Sequence, residues 1–390
     1  MTALVKTVWP VMAGVAVMSA WSQAAEPREV PKGVWVRPGY RLTVAEATIR
    51  QPRFLKLAPD GTLYVSVPNQ ESIMACRDKD GDGYYETVTT FLKAGSFVHG
   101  LFWYEGWLWY TRPGTIGRAR DADGDGKADE NVVVLSEEKL TKGGGHWWRS
   151  ILIHKGRLYT SIGDPGNATP EDVPRRMKIL SYALDGGDEK VFCTGVRNTE
   201  KLVIRPGSDE IWGMDHGSDR WGKELEDRED QGQPFTDLIP PEEMNHYVEG
   251  GFYGHPFVVG PRIPRLEFLD RPDITALAAR SIPPEWCGGA HWAANAMEFY
   301  TADQFPGHKG DAFVCYHGSW NRTQAAGYCV TRVLFEDGHP YGELPYVKFL
   351  PAGTKVALGR PVDACLTPDG SLLISDDGGN RIYRLSYAGK

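Results

Sequence analysis

The sequence predicts an all-β fold, a six-bladed β-propeller carrying one long inter-blade insertion, and three observations lead there. First, 45 glycines, 27 prolines and 13 tryptophans in 390 residues favour tight turns and large flat side chains over long helices. Second, one pattern recurs six times along the chain: an apolar run, a tight turn, then a second apolar run ending in small or acidic residues. Third, most repeats are spaced by about 40–50 residues, the length of a four-stranded blade. A β-sandwich array is the rival architecture, but no linker or shift in composition separates the repeats.

The repeats run in order. Residues 54–66 turn at Pro59, Asp60 and Gly61 into Leu63, Tyr64 and Val65, and residues 98–118 turn at Glu105 and Gly106 into Leu108, Trp109 and Tyr110. Residues 150–164 turn at His154 to Gly156 into a strand over 158–162, and residues 202–217 turn at Pro206, Gly207 and Ser208 into Ile211, Trp212 and Gly213. Residues 299–333 hold two apolar runs, 312–316 and 328–330. Residues 363–385 turn at Pro368, Asp369 and Gly370 and end the series with Ile382 to Leu385. The longest gap, about 221–292, is rich in charge, proline and glycine, and reads as the insertion on one face. Within it, residues 250–256 carry aromatic and turn residues suited to a cleft wall, with a merely structural turn as the equal alternative.

Before the first repeat, Lys6, the apolar run 8–20 and the small residues around the 22–24 stretch read as a secretory signal over 1–24, with a retained amphiphilic anchor as the minor alternative. The mature chain is then one domain, 25–390, in the periplasm or outside the cell, with no later stretch long and apolar enough to span a bilayer. A net charge of −8 without a basic cluster argues against nucleic acid as a partner. The six cysteines include no Cys-x-x-Cys, so zinc-ribbon and c-type haem attachment motifs are absent. Cys315 and Cys329, on neighbouring strands, are the pair to test for a disulfide, with buried free thiols as the equal alternative.

Residues 143–167 concentrate the chemistry. His146 and Asp164 flank the open end of the 150–162 hairpin, and a carboxylate beside an imidazole is the raw material of a general base. An ordinary structural histidine remains the alternative on those residues alone. Two further stretches carry alternating carboxylates on glycine turns: Asp78, Asp80 and Asp82 leading to Glu86, and Asp121, Asp123 and Asp125 leading to Asp129. Such turns converge oxygen ligands on a hard cation. Position twelve is Thr89 in one and Val132 in the other, so neither is an EF-hand. They read as calcium-stabilised hairpin turns, with solvated acidic turns as the alternative.

Taken in order, residues 146–167, Gly195 to Asn198, Gly251 to Pro256, Gly310 to Val314, His317 to Arg322 and Gly359 to Asp363 resemble the soluble pyrroloquinoline quinone-dependent sugar dehydrogenases. The branch is the one called sorbosone dehydrogenase-like or aldose sugar dehydrogenase-like. The resemblance spans nearly all of the mature chain and implies a six-bladed propeller. It implies that His146 takes the hydroxyl proton of a sugar while hydride passes to the quinone, that Asp164 supports His146, and that Arg197 and Asn198 contact the quinone oxygens. Arg360 matches a basic residue that holds cofactor carboxylates, Arg322 stands in for a lysine of the cofactor pocket, and the carbonyls of Gly217 and Ser218 hold a Ca2+ ion. Asp215 or Asp219 is the alternative source of metal ligands. Thr199 departs from the proline usual after the asparagine, and Trp147 and Trp148 narrow the mouth of the site. The implied partners are an aldose or related aldehyde hydrate and a separate electron acceptor, a cytochrome or a quinone. Two other classes stay open: a metal-dependent lactonase-type hydrolase on a propeller, and a non-catalytic propeller that binds a glycan or a protein.

Overall fold

The computed structural model describes residues 28–389. Six antiparallel sheets of four or five strands follow one another along the described chain, and the first strands of successive sheets touch in a closed cycle. This is the six-bladed propeller. Blade 1 covers residues 55–93, blade 2 101–135, blade 3 152–194, blade 4 202–287 and blade 5 294–348. Blade 6 takes three strands from 361–387 and its fourth, Tyr40–Glu46, from the other end of the chain. Each of the six repeats seeds one blade.

Alternate residues of a strand face opposite sides of its sheet, and here both sides are buried. Leu202 packs towards blade 3 and Val203 towards blade 5. Leu108 and Tyr110 face blade 1, whereas Trp109 faces blade 3. Six apolar clusters result, one at each junction between neighbouring blades. A sheet covered on both faces needs near-continuous apolar strands, and Ala312–Tyr316, buried at all five positions, is such a strand.

Ring closure depends on the Tyr40–Glu46 strand, which pairs with Arg381–Tyr387 and is not among the sequence repeats. Trp35–Val36 adds a fifth strand to blade 5. The long insertion needs redrawing. Residues 221–292 do not lie between two blades; they contain the third strand of blade 4, Glu243–Tyr247, and its outer strand, Trp286–Cys287. Around them lie a 3-10 turn (Trp221–Leu225), a small hairpin (Val258–Val259 with Ile263–Pro264) and one short helix (Ile274–Arg280).

All six thiols are free. Cys315 pairs across the ladder with Val330, and Cys329 with Tyr316. The two cysteines are therefore one register step out of phase and point to opposite faces, Cys315 into the junction of blades 5 and 6 and Cys329 into that of blades 4 and 5. That parity forbids the Cys315–Cys329 disulfide. The segment expected to direct secretion lies outside the described residues. Among the described residues, no helix is long and apolar enough to cross a membrane.

Candidate active site

A cavity of about 300 Å³ opens at one end of the propeller axis. Its walls come from loops that join one blade to the next and from loops between the second and third strands of a blade. Arg53 enters between blades 6 and 1, His146 and Trp148 between blades 2 and 3, Arg197 and Glu200 between blades 3 and 4, and Arg360 between blades 5 and 6. Blade 4 contributes His216, Gly217, Asp219 and Glu242, followed by His291. His317 and Trp320 come from blade 5.

His146 and Asp164 do meet, but not as an imidazole and a carboxylate. His146 Nδ1 lies 2.8 Å from the backbone carbonyl oxygen of Asp164. A carbonyl only accepts, so Nδ1 carries the proton and Nε2 keeps the lone pair. Burial, reinforced by the Arg197 guanidinium, pushes the imidazole down to about 3, which leaves it neutral and ready to accept. His146 has a positive φ of 47°, and its ring is fitted against a bare backbone. A Cβ on Gly163 would come within 2.5 Å of the Arg197 carbonyl oxygen and 2.8 Å of His146 Cβ.

The Asp164 carboxylate turns away, into the wall. It accepts from His255 Nε2 at 2.6 Å, the Thr169 hydroxyl at 2.6 Å and the backbone N–H groups of Gly166 and Thr169 at 2.6 and 2.8 Å. Burial raises this carboxyl, but the bond and charge of His255 and the Thr169 bonds outweigh it and hold the group below the ordinary carboxylate range. Asp164 N–H in turn donates to the Arg197 carbonyl at 2.8 Å. Its backbone is clamped between Arg197 and His146.

Arg197 is 4% exposed. Its guanidinium donates to the Asn167 carbonyl at 3.0 Å, to Asn167 Oδ1 at 2.9 Å and to Asp219 at 3.1 Å. The backbone N–H groups of Arg197 and Asn198 both donate to the Asp215 carboxylate, at 2.8 and 2.6 Å, and Thr199 donates to it at 3.1 Å. Burial pushes that carboxyl up to about 6. Asp215 thus shapes the turn beneath the cavity, and the threonine found in place of proline serves the same carboxylate. Asn198 Nδ2 donates to Glu200 at 3.3 Å. Glu200 also binds Arg53 at 3.1 Å, and Arg53 binds Asp377 at 2.7 Å.

Arg360 reaches the cavity and donates to His317 Nδ1 at 3.0 Å; among the described residues no carboxylate is in ion-pair contact with it. Arg322 does not reach it. Its guanidinium is tied to the backbone carbonyls of Asp237, Ala290 and Gln324, so it braces the loops behind the wall instead of facing the cavity where a cofactor ligand was expected. Gly217 lines the cavity, whereas Ser218 is buried with its hydroxyl bound to Arg265. Ser218 therefore offers only its backbone.

The acidic turns join the third strand to the outer strand in blades 1 and 2 and take no part in this cavity's walls. Asp78, Asp80 and Glu86 converge, as do Asp121, Asp123 and Asp129, each set within 4.8 Å. Asp82 and Asp125 stand outside these sets: Asp82 accepts from the Tyr84 N–H and pairs with Arg28, and Asp125 accepts from the Lys127 N–H.

Among the wall residues, Arg53, Glu200 and Glu242 carried no separate signal in the sequence. Glu242 is 1% exposed, accepts from the N–H groups of Ala293 and Ala294 at 3.0 and 3.1 Å, and is pushed up to about 8 by burial. His291 donates through Nε2 to the Ile239 carbonyl at 3.2 Å, which leaves Nδ1 as an unpaired acceptor; His216 Nε2 is unpaired too. The cavity is thus polarised. Blade 4 supplies acceptors (Glu242, Asp219, His291 Nδ1), with Arg197 paired to Asp219 beside them, and the blade 5–6–1 side supplies the cations Arg360 and Arg53.

The TrAA12-like family model matches residues 34–387, and the chain belongs to that family. An uncharacterised protein of Borreliella burgdorferi is 32% identical over 397 residues, covering 95% of this chain and 94% of the relative. The calcium structure of the Trichoderma reesei carbohydrate-active enzyme of family AA12 superposes with a TM-score of 0.76 at 17% identity, over 91% of this chain and 97% of the other. The holo form of the pyranose dehydrogenase pyrroloquinoline quinone domain from Coprinopsis cinerea gives 0.74 at 17% identity, over 91% and 98%.

Proposed function

We propose that this member of the TrAA12-like family is an exported quinoprotein dehydrogenase that oxidises an aldose or a related aldehyde hydrate and passes the electrons to a separate cytochrome or quinone. The observation that carries the reading is the polarised cavity beside a neutral, tautomer-fixed histidine. Pyrroloquinoline quinone is a flat tricarboxylate bound together with a cation, and the cavity offers each part a complementary side. Arg360, Arg197, Arg53 and Asn198 would hold its anionic edge. The Asp219 carboxylate and the carbonyls of Gly217 and Ser218 are oxygen donors of the kind a hard cation takes. When bound, the quinone supplies a two-electron acceptor and Ca2+ a Lewis acid.

The chain's own part is to bind, orient and move a proton. His146 Nε2 accepts the proton of the substrate hydroxyl as the carbon gives up hydride. The Asp164 carbonyl keeps Nδ1 protonated, so the lone pair faces the cavity and not the wall. Arg197, held by Asn167 and Asp219, is placed to stabilise negative charge that develops during the transfer. Loops from all six blades fix these groups, so they need little reorganisation when the substrate arrives.

The test is direct. Purified protein is mixed with pyrroloquinoline quinone and Ca2+, binding is followed by the quinone absorbance, and dye reduction is followed across a sugar panel. Stoichiometric binding with sugar-dependent dye reduction is expected; no spectral change on mixing overturns the proposal. His146→Ala should keep cofactor affinity and lose most turnover, by about 10²–10⁴-fold. N-terminal sequencing of the exported product should find cleavage close to residue 24.

A further inference from the structure

Beside the mouth of the cavity lies an aromatic patch that the chemistry above does not use. Phe97 is 42% exposed and Trp147 38% exposed, with ring centroids 5.6 Å apart and planes at 52°. Trp148 sits beneath them at 6.0 and 6.1 Å. It is itself locked by a stack on His99 at 4.4 Å and by the Arg53 guanidinium 4.9 Å above its ring. Trp148 therefore gives the exposed pair a rigid floor. The backbone is costly where it presents the first of these rings: Phe97 has φ 58°, a region that bulky side chains avoid. An exposed aromatic ring held by left-handed backbone at the edge of an active site is the kind of strain that persists at ligand sites.

We propose that Phe97 and Trp147 form a second sugar subsite, which takes the penultimate pyranose ring of an oligosaccharide whose terminal ring is oxidised in the cavity. This rests on the sugar-oxidation reading. Trp147 lines the cavity and also contacts Phe97, so the patch continues the site instead of standing apart from it. A cavity of about 300 Å³ is at the small end of ligand sites, which run from about 300 to 1,000 Å³. Once the cofactor occupies it, a second ring has to lie at the mouth. The flat faces of Phe97 and Trp147 match the C–H faces of a pyranose, and both rings bring large contact area at little entropic cost.

Dye-coupled kcat/KM is measured for glucose, maltose and maltotriose, and for cellobiose and cellotriose, with the wild type, Phe97→Asn and Trp147→Leu. Asparagine tolerates the positive φ at position 97, and leucine keeps an apolar side chain without a flat face. A gain of about tenfold or more from one ring to two is expected in one linkage series, with little added by a third, and the two-ring to one-ring ratio should fall towards one in both variants. Saturation-transfer NMR with methyl β-maltoside and methyl β-cellobioside, which have no free anomeric hydroxyl, reads binding without turnover. Transfer to the wild type should drop at least threefold in the variants. Efficiency that is flat with chain length, or a ratio unmoved by both substitutions, overturns the subsite. Transfer that the variants abolish on a protein that oxidises no sugar keeps the subsite and removes the oxidation reading. An effect of the variants confined to a protein electron acceptor, with dye-coupled ratios unchanged, also overturns it and marks the patch as an acceptor surface.

Discussion

Replacing Asp164 by asparagine separates the work of its carboxylate from that of its backbone. The two side chains share a shape, so the change alters charge and hydrogen-bond polarity while packing is kept. Oδ1 accepts from the Gly166 N–H and the Thr169 hydroxyl, and Oδ2 from the Thr169 N–H and His255. Whichever position the amide nitrogen takes, it faces a backbone N–H, and a buried donor is left without an acceptor. An unsatisfied buried donor costs about 1–3 kcal/mol and a lost bond to a charged group about 1.5–3 kcal/mol, giving a destabilisation of about 3–5 kcal/mol. With an unfolding entropy of about 2.1 cal/mol/K per residue, a chain of 390 residues should lose about 4–6 °C in Tm. Calorimetry of the cofactor-free protein at pH 7 measures it. The folded carboxyl titrates below its unfolded value, so its contribution is full above the ordinary carboxylate pKa and is lost as pH falls through the lower folded one. The gap between wild type and variant should therefore narrow below about pH 4. Equal Tm values at pH 7, or a gap that does not narrow in acid, would refute the assignment of this carboxylate to the wall.

The other expectations concern separate parts of the fold. Lys201 binds Glu298 at 2.8 Å and the buried Asp363 at 2.7 Å, joining blades 4, 5 and 6 across the axis; Lys201→Met should cost about 3–5 kcal/mol in chemical denaturation, since both carboxylates lose their partner. Arg360→Ala should weaken quinone binding by about tenfold or more in an absorbance titration, whereas Arg322→Ala should leave that affinity within about twofold and act on stability, as loss of its three carbonyl bonds implies. Burial pushes His146 down to about 3 and His308 to about 4. Their folded pKa values lie below the unfolded value of about 6.5, so stability from keeping them neutral is full above that pH and declines towards pH 4, which a Tm-against-pH series reads. Cys287 is exposed and the other five cysteines are buried, so alkylation of the native protein followed by mass analysis should label Cys287 alone.

The blades were legible because each repeat keeps its two apolar runs close together in the chain, most compactly in residues 54–66, 150–164 and 202–217. The strand Tyr40–Glu46 was not, because its partner lies at the opposite end of the sequence and nothing local marks a closing strand. Glu243–Tyr247 was missed for another reason. It carries Glu243, Asn245 and His246 where apolar residues would advertise a strand, since its polar groups serve the loop network under the cavity: Glu243 accepts from the Gly260 N–H. The residue types of the site were readable, but not which atoms meet. That His146 is oriented by a carbonyl and not by a carboxylate depends on a backbone atom that every residue has. The Cys315–Cys329 pair failed on parity, which a spacing in sequence cannot report until the register is known.

These misses share a cause that bears on how the site works. Its residues arrive from loops of all six blades, and their contacts cross blade boundaries: Arg53 reaches Glu200 and Asp377, Asp164 reaches Arg197 and His255, and Arg360 reaches His317. No blade holds a working subset. The propeller therefore does more than carry the loops, because closure of the ring by Tyr40–Glu46 sets the spacing between Arg53 on one side of the axis and Arg197 on the other. A cavity in which the acceptors of blade 4 face Arg360 and Arg53 exists only in the closed ring. The same closure lets His146 stay neutral beside a guanidinium, because the loops that bury it cannot move apart without breaking contacts between neighbouring blades.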